Sequence, residues 1–362
     1  MFNGLSLPIL LAIFAACAGV IWIAGVKLAD TTDILSSRLR LGKALGGIIV
    51  LAVATNLPEV AITVSAALAG NLSVAVGNIL GGIAIQTVVL VAMDIAMKEK
   101  VPLTYRAASL TLVVEAVLVV AVLTVSIMAT QLPGTLIAAR LTPGAVLIAI
   151  LWVVGVWLSS KASKASKGLP WHDTSGTAPD GQEEPKGHSQ AKKDDASAQQ
   201  GESTVRLAVI FGAAALATLA AGVLLERSGD AIAQHIGLSG VLFGATVLAA
   251  ATSLPELSTG ITSVRMKDYQ LAVSDIFGGN AFLPVLFLLA VVISGKAVLP
   301  DAQASDIYLA GLGVLLTSVY AAGLIFRPKW QVWRMGIDSF TVLILYALGV
   351  GGLFAISNIH GG

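Results

Sequence analysis

Two stretches of this chain carry the same costly pattern. Residues 52–86 open AVATNLPEVAIT and reach GNILGGIAIQ, and residues 249–283 open AAATSLPELSTG and reach SDIFGGNAFL. The offset is 197 residues throughout, and the identical pairs include Thr55/Thr252, Leu57/Leu254, Pro58/Pro255, Glu59/Glu256, Gly81/Gly278 and Gly82/Gly279. A proline removes a backbone donor and disturbs the preceding helical turn. A carboxylate in apolar surroundings is expensive unless something neutralises it. Both together, repeated at one spacing, point to an internal duplication around a single site.

The surroundings are apolar indeed. Of 362 residues, 56% are hydrophobic and only 12% are charged, where a soluble domain carries roughly 25% charged. Long apolar runs recur near the length that a bilayer core requires. We read an all-α polytopic membrane protein with about ten spans, near 6–26, 41–69, 72–97, 107–129, 135–158, 205–225, 238–264, 270–295, 306–326 and 336–357. The second and seventh are longer than a bilayer needs, which suits tilted or broken helices. The net charge of +1 suggests no nucleic-acid partner. The one cysteine, Cys17, excludes an internal disulfide and a cysteine metal cluster. No nucleophile–base set or phosphate loop points to an enzyme.

Between spans five and six, residues 161–203 are rich in Ser, Gly, Gln, Lys, Asp and Glu. Such a segment buries too little surface to offset its ordering entropy, so a disordered linker is expected. It divides the chain into residues 1–160 and 204–362, two halves of five spans each. Nineteen of the 22 Lys and Arg residues fall on one side of this layout, and only Arg140, Arg227 and Lys296 on the other. The positive-inside rule then makes the linker cytoplasmic and puts both termini outside. The two copies start five spans apart, an odd number, so they cross the membrane in opposite directions. Inverted repeats of this kind are a construction of secondary transporters, with the site near the midplane.

On a helix, Thr55, Asn56 and Glu59 share one face, as do Thr252, Ser253 and Glu256. The glycine pairs lie near the middle of the next spans, where they allow backbones to approach. Pro58 and Pro255 are expected to free carbonyls around Ala52–Ala54 and Ala249–Ala251, and a bound cation can serve these in place of a helix donor. Carboxylates, hydroxyls, amides and carbonyls are hard oxygen ligands, suited to Ca²⁺ or Na⁺. An intramembrane carboxylate is a functional candidate by default. Glu115, inside the fourth span, is read as a satisfied polar contact, and Asp94 as interfacial.

The TNLPE and TSLPE runs, with the glycine segments that follow them, resemble the alpha repeats of the sodium/calcium exchangers, in the cation/calcium exchanger superfamily. The likeness covers the whole chain and marks it as a divergent, prokaryotic-type member. It implies a ten-helix antiporter in a bacterial or archaeal inner membrane, in which spans one and six slide against the rest to alternate access. It implies transported Ca²⁺ and Na⁺ or H⁺ as ligands, with no cofactor; inorganic cations and the bilayer are the expected partners. By resemblance, Glu59, Thr55, Glu256, Thr252, Ser253 and the carbonyls of Ala52 and Ala249 match ligand positions. Asn56 matches a serine position, and Gln86 stands at the amide ligand position. Gly82 and Gly279 replace serines, and Leu283 stands where an acidic ligand is expected. Asp275, opposite Asn78 in the repeat, offers a carboxylate elsewhere; both are secondary candidates, with Asn280. Export of Ca²⁺ against Na⁺ entry is the leading expectation. Proton-coupled exchange, or exchange of another divalent cation, is the alternative. A third is a fold retained as a sensor or scaffold without transport.

Overall fold

The computed structural model describes residues 2, 4–38, 52–165, 203–237, 244–265, 267 and 269–359. Helices dominate: α1 (Leu7–Arg38), α2 (Leu57–Ala69), α3 (Leu72–Ala96), α4 (Leu110–Thr130), α5 (Pro143–Ala165), α6 (Thr204–Ile236), α7 (Leu254–Arg265), α8 (Tyr269–Ser294), α9 (Ala304–Phe326) and α10 (Ile337–Ile359). Eight of them are long and apolar enough to cross a membrane; α2 and α7 are shorter. Most of the linker expected at 161–203 lies outside the described residues, but α5 continues to Ala165, past the expected boundary. The start of the second span, before residue 52, also lies outside them.

Both Pro–Glu spans are broken at the same place. Residues 52–55 are helical, the helix is interrupted at Asn56 (φ −87°, ψ 17°), and α2 begins one residue later with Pro58 in its first turn. In the second copy a π-helical turn at Gly244–Leu248 leads into a short helix, Ala249–Thr252, which breaks at Ser253 (φ −82°, ψ 7°) before α7. Proline has no N–H, and its ring clashes with the carbonyl four residues back. The interruption two residues ahead of each proline follows from that chemistry. α8 carries a milder irregularity, a 3₁₀ turn at Leu283–Val285 around Pro284.

Two bodies are distinguishable by their packing. α3, α4, α8, α9 and α10 share one large apolar core, with Ile79, Leu80, Ile83, Phe277, Phe287 and Leu316 fully enclosed. α1 and α6 lie along each other and have clusters of their own, among them Leu10, Ile21 and Leu225. They reach the rest of the molecule over the Pro–Glu helices, α1 on α7 and α6 on α2. α2, α3, α7 and α8 converge at the centre.

One end of the bundle is fastened by carboxylates. Asp94, at the end of α3, is buried and accepts from the N–H of Leu103 (2.8 Å) and of Gly336 (2.6 Å). At the end of its span it thus acts as a structural clamp. Gly336 belongs to a small antiparallel hairpin, β1 (Gln331–Val332) and β2 (Met335–Gly336), ahead of α10. Asp338 takes the Thr104 hydroxyl and the N–H of Ser339 (2.9 Å). Outside these, Glu99 joins Arg106 (2.7 Å) and accepts from the Tyr269 hydroxyl (2.5 Å).

Candidate cation site

The broken helices bring Glu59 and Glu256 together. Both are fully enclosed, and their charges face one another. The hydroxyl of Thr252 neighbours Glu59, and that of Thr55 neighbours Glu256, so each carboxylate stands beside the threonine of the other repeat. Thr55, Asn56, Gln86, Thr252, Ser253 and Asn280 are also enclosed. Pro58, Pro255, Gly81, Gly82 and Gly279 are buried around them, and Gly278 is half-buried.

The carbonyls of Ala52 and Ala249 are engaged, contrary to the sequence expectation. The Ala52 oxygen accepts from Asn56 N (3.2 Å), Asn56 Nδ2 (2.7 Å) and Thr55 Oγ1 (3.3 Å). That of Ala249 accepts from Ser253 N (3.0 Å), Ser253 Oγ (2.8 Å) and Thr252 Oγ1 (3.1 Å). The reason lies in the register. A proline leaves the carbonyl four residues earlier without its donor, which means Ala54 and Ala251. Residues 52 and 249 keep their helical donors and gain side-chain ones.

On the other side of the glutamates the donors run out. Gln86 Nε2 donates to Asn56 Oδ1 (3.0 Å) and, at 3.5 Å, to Glu59 Oε1. Asn280 Nδ2 donates to Thr87 Oγ1 (3.0 Å). Among the described residues, five buried oxygens of the site then have no donor: Glu59 Oε2, both carboxylate oxygens of Glu256, Gln86 Oε1 and Asn280 Oδ1. The hydroxyls of Thr55, Thr252 and Ser253 donate to the Ala52 and Ala249 carbonyls, while those of Thr55 and Thr252 also stand beside Glu256 and Glu59. Leaving one such acceptor unsatisfied costs roughly 1–3 kcal/mol, and more when it is charged. A cation answers all of them at once, because oxygen lone pairs are what a hard cation requires.

Of the secondary candidates, Asn280 lines the site and the other two lie around it. Asp275 is buried and its charge acts on Glu256. Asn78 is buried with its Nδ2 lacking an acceptor. The neighbouring Ser274 donates to Glu115 Oε2 (2.8 Å), so Glu115 is a hydrogen-bonded polar contact between α4 and α8.

Sequence reasoning missed two features. Thr87 closes the acceptor side through Asn280. Gly25 and Gly222 set α1 and α6 against the Pro–Glu helices: a Cβ on Gly25 would lie 2.6 Å from Pro255 Cβ, and one on Gly222 would lie 3.4 Å from Pro58 Cα. A signal for the glycines was present. Ala24/Ala221, Gly25/Gly222, Val26/Val223 and Leu28/Leu225 repeat at the same 197-residue offset as the Pro–Glu runs.

Known proteins bear on this arrangement. The model of the sodium/calcium exchanger protein family matches residues 9–161 and 206–355, both halves of the chain. A putative antiporter, CaxA, of Alkalimonas amylolytica is 36% identical over 119 residues, 31% of this chain and 35% of that protein. Sodium/potassium/calcium exchanger 1 of Homo sapiens is 32% identical over 120 residues, 32% of this chain and 11% of that protein. The match thus spans well under two thirds of the length of these relatives. Among solved structures, the H⁺/Ca²⁺ exchanger CAX superposes with a TM-score of 0.59 at 13% identity, covering 97% of this chain and 88% of that one. The sodium-calcium exchanger NCX_Mj, soaked with Na⁺ and Sr²⁺, gives 0.58 at 13% identity, covering 96% and 99%. At such identity these two share the fold, with its inverted repeats. With both halves matched, the chain belongs to the sodium/calcium exchanger protein family.

Proposed function

We propose that this chain exchanges Ca²⁺ for Na⁺ across a prokaryotic inner membrane by alternating access. Members of its family are secondary transporters, and the chain is accordingly a transporter and not an enzyme. The observation that carries the ion reading is the set of five enclosed oxygens without a donor around two facing glutamates. Two ionised carboxylates balance one Ca²⁺, with Gln86, Asn280, Thr55 and Thr252 supplying further oxygens. When Ca²⁺ leaves, two like charges in low dielectric repel, so a Na⁺ or a proton takes its place.

The remaining parts of the reading are proposals of the same kind. Residues 1–160 and 204–362 act as the two inverted halves, tethered by a cytoplasmic linker at 161–203 with both termini outside; the excess of Lys and Arg on one side supports this. The separate packing of α1 and α6 supports their moving as one unit over the Pro–Glu helices. Inorganic cations and the bilayer are the partners, and no cofactor is needed.

Proton coupling is the second reading, and one observation favours it. Glu256 has no donor at either oxygen, and its repeat's counterpart of Gln86 is the apolar Leu283. A carboxyl in that setting is well suited to carry a proton. Proteoliposomes separate the readings. Ca²⁺ uptake driven by an outward Na⁺ gradient supports the first, and uptake driven only by a pH gradient supports the second. Glu59→Gln and Glu256→Gln should each abolish uptake. Undiminished uptake in both variants would remove the site assignment.

A further inference from the structure

The two halves of the site differ, and the differences come in matched pairs. Gly279 has no room for a side chain: a Cβ there would lie 2.7 Å from Asn56 Nδ2 and 3.6 Å from Gln86 Oε1. The space belongs to Asn56, whose counterpart in the other repeat is the smaller Ser253. Across the site, a Cβ on Gly82 would meet Leu283 Cδ1 at 3.7 Å. The counterpart of Leu283 is Gln86. Gly82 of α3 and Gly279 of α8 thus each face an enlarged or apolar residue from the other repeat.

What fills those spaces is unsuited to a cation. Asn56 turns its amide nitrogen to the Ala52 carbonyl at 2.7 Å and leaves its Oδ1 to Gln86. The positive end of a fixed dipole lies where a carbonyl could otherwise have met an ion. Leu283 is fully enclosed and offers only methyl groups. The acceptors without donors belong to Glu59, Glu256, Gln86 and Asn280, and neither Asn56 nor Leu283 contributes one.

We propose that Asn56, seated over Gly279, and Leu283, seated against Gly82, act as built-in plugs that limit the site to one cation at a time. The proposal rests on the cation-exchange reading above and adds ion number to it. One divalent cation sits between the two glutamates, and its counter-ion binds in the same place after it and not alongside it. Asn56 is then a specificity-determining residue, holding Gln86 toward Glu59 and closing a neighbouring place to Na⁺.

Equilibrium binding of radiolabelled Ca²⁺ and its displacement by Na⁺, on purified full-length protein in detergent, tests this. The wild type should bind one Ca²⁺ per chain, and Na⁺ should displace it with a Hill coefficient of about 1, since that coefficient cannot exceed the number of sites. Gly279→Ser should push the Asn56 amide off Ala52 and Gln86 and weaken Ca²⁺ binding about tenfold or more. Asn56→Ser combined with Gly279→Ser should recover most of that loss, a non-additive pair, and should raise the Na⁺ coefficient above that of the wild type. A wild-type coefficient near 2 or higher overturns the proposal and leaves the exchanger reading standing. So does additivity of the two substitutions. A wild type that binds neither Ca²⁺ nor Na⁺ overturns the exchanger reading, and this proposal with it.

Discussion

Gly25 of α1 rests on Pro255 of α7 so closely that a Cβ on the glycine would lie 2.6 Å from the proline Cβ. The symmetric contact, Gly222 of α6 over Pro58 of α2, is looser, with a Cβ 3.4 Å from the nearest atoms. Proline is rigid and its backbone is pinned beside Glu256, so neither partner can yield cheaply at Gly25. Overpacking of this kind costs about 1–3 kcal/mol.

Gly25→Ala should therefore destabilise the protein by about 1–3 kcal/mol, and Gly222→Ala by much less. Thermal unfolding in detergent measures both. Equal effects would show that the two contacts relax alike, and the asymmetry would then have no energetic content.

Gln86 is the donor that distinguishes Glu59 from Glu256. Gln86→Leu makes the first repeat resemble the second, which carries Leu283 at the matching place. Losing the Gln86 oxygen as a ligand removes a contact to a charged group worth roughly 1.5–3 kcal/mol, so Ca²⁺ affinity should fall about ten- to a hundredfold. Calorimetric titration checks the figure. An unchanged affinity would mean that Gln86 supports the helix and not the ion.

Asp94 fastens α3 to two other segments, through Leu103 N and Gly336 N. Asp94→Ala leaves both donors buried without an acceptor, which should cost about 2–5 kcal/mol. Asp94→Asn retains one carbonyl oxygen and should cost less. Melting temperatures of the two variants, compared with wild type, test the order. A wild-type melting temperature for Asp94→Ala would show the clamp to be dispensable.

The sequence made much of this legible, because membrane physics leaves few options. Apolar runs of bilayer length identified the long helices, and the repeat offset identified the facing glutamates before any geometry was known. Proline chemistry correctly foretold broken helices at both copies. It did not foretell which carbonyls are engaged, because Asn56, Ser253 and the two threonines turn back on Ala52 and Ala249. Side-chain direction of that kind is set by local competition for donors, which spacing does not reveal. The role of Asp94 was also hidden. Its partners Leu103 and Gly336 are backbone groups, one of them far along the chain, and backbone donors leave no mark in a sequence.

The proposed site holds one cation between Glu59 and Glu256. Anomalous diffraction from crystals soaked in Ca²⁺ or Sr²⁺ tests it most directly. A single anomalous peak should appear among Glu59 Oε2, the two Glu256 oxygens and Gln86 Oε1, at about 2.3–2.6 Å from its oxygens for Ca²⁺. A peak at another place in the bundle, or none at saturating cation in crystals of active protein, would contradict it.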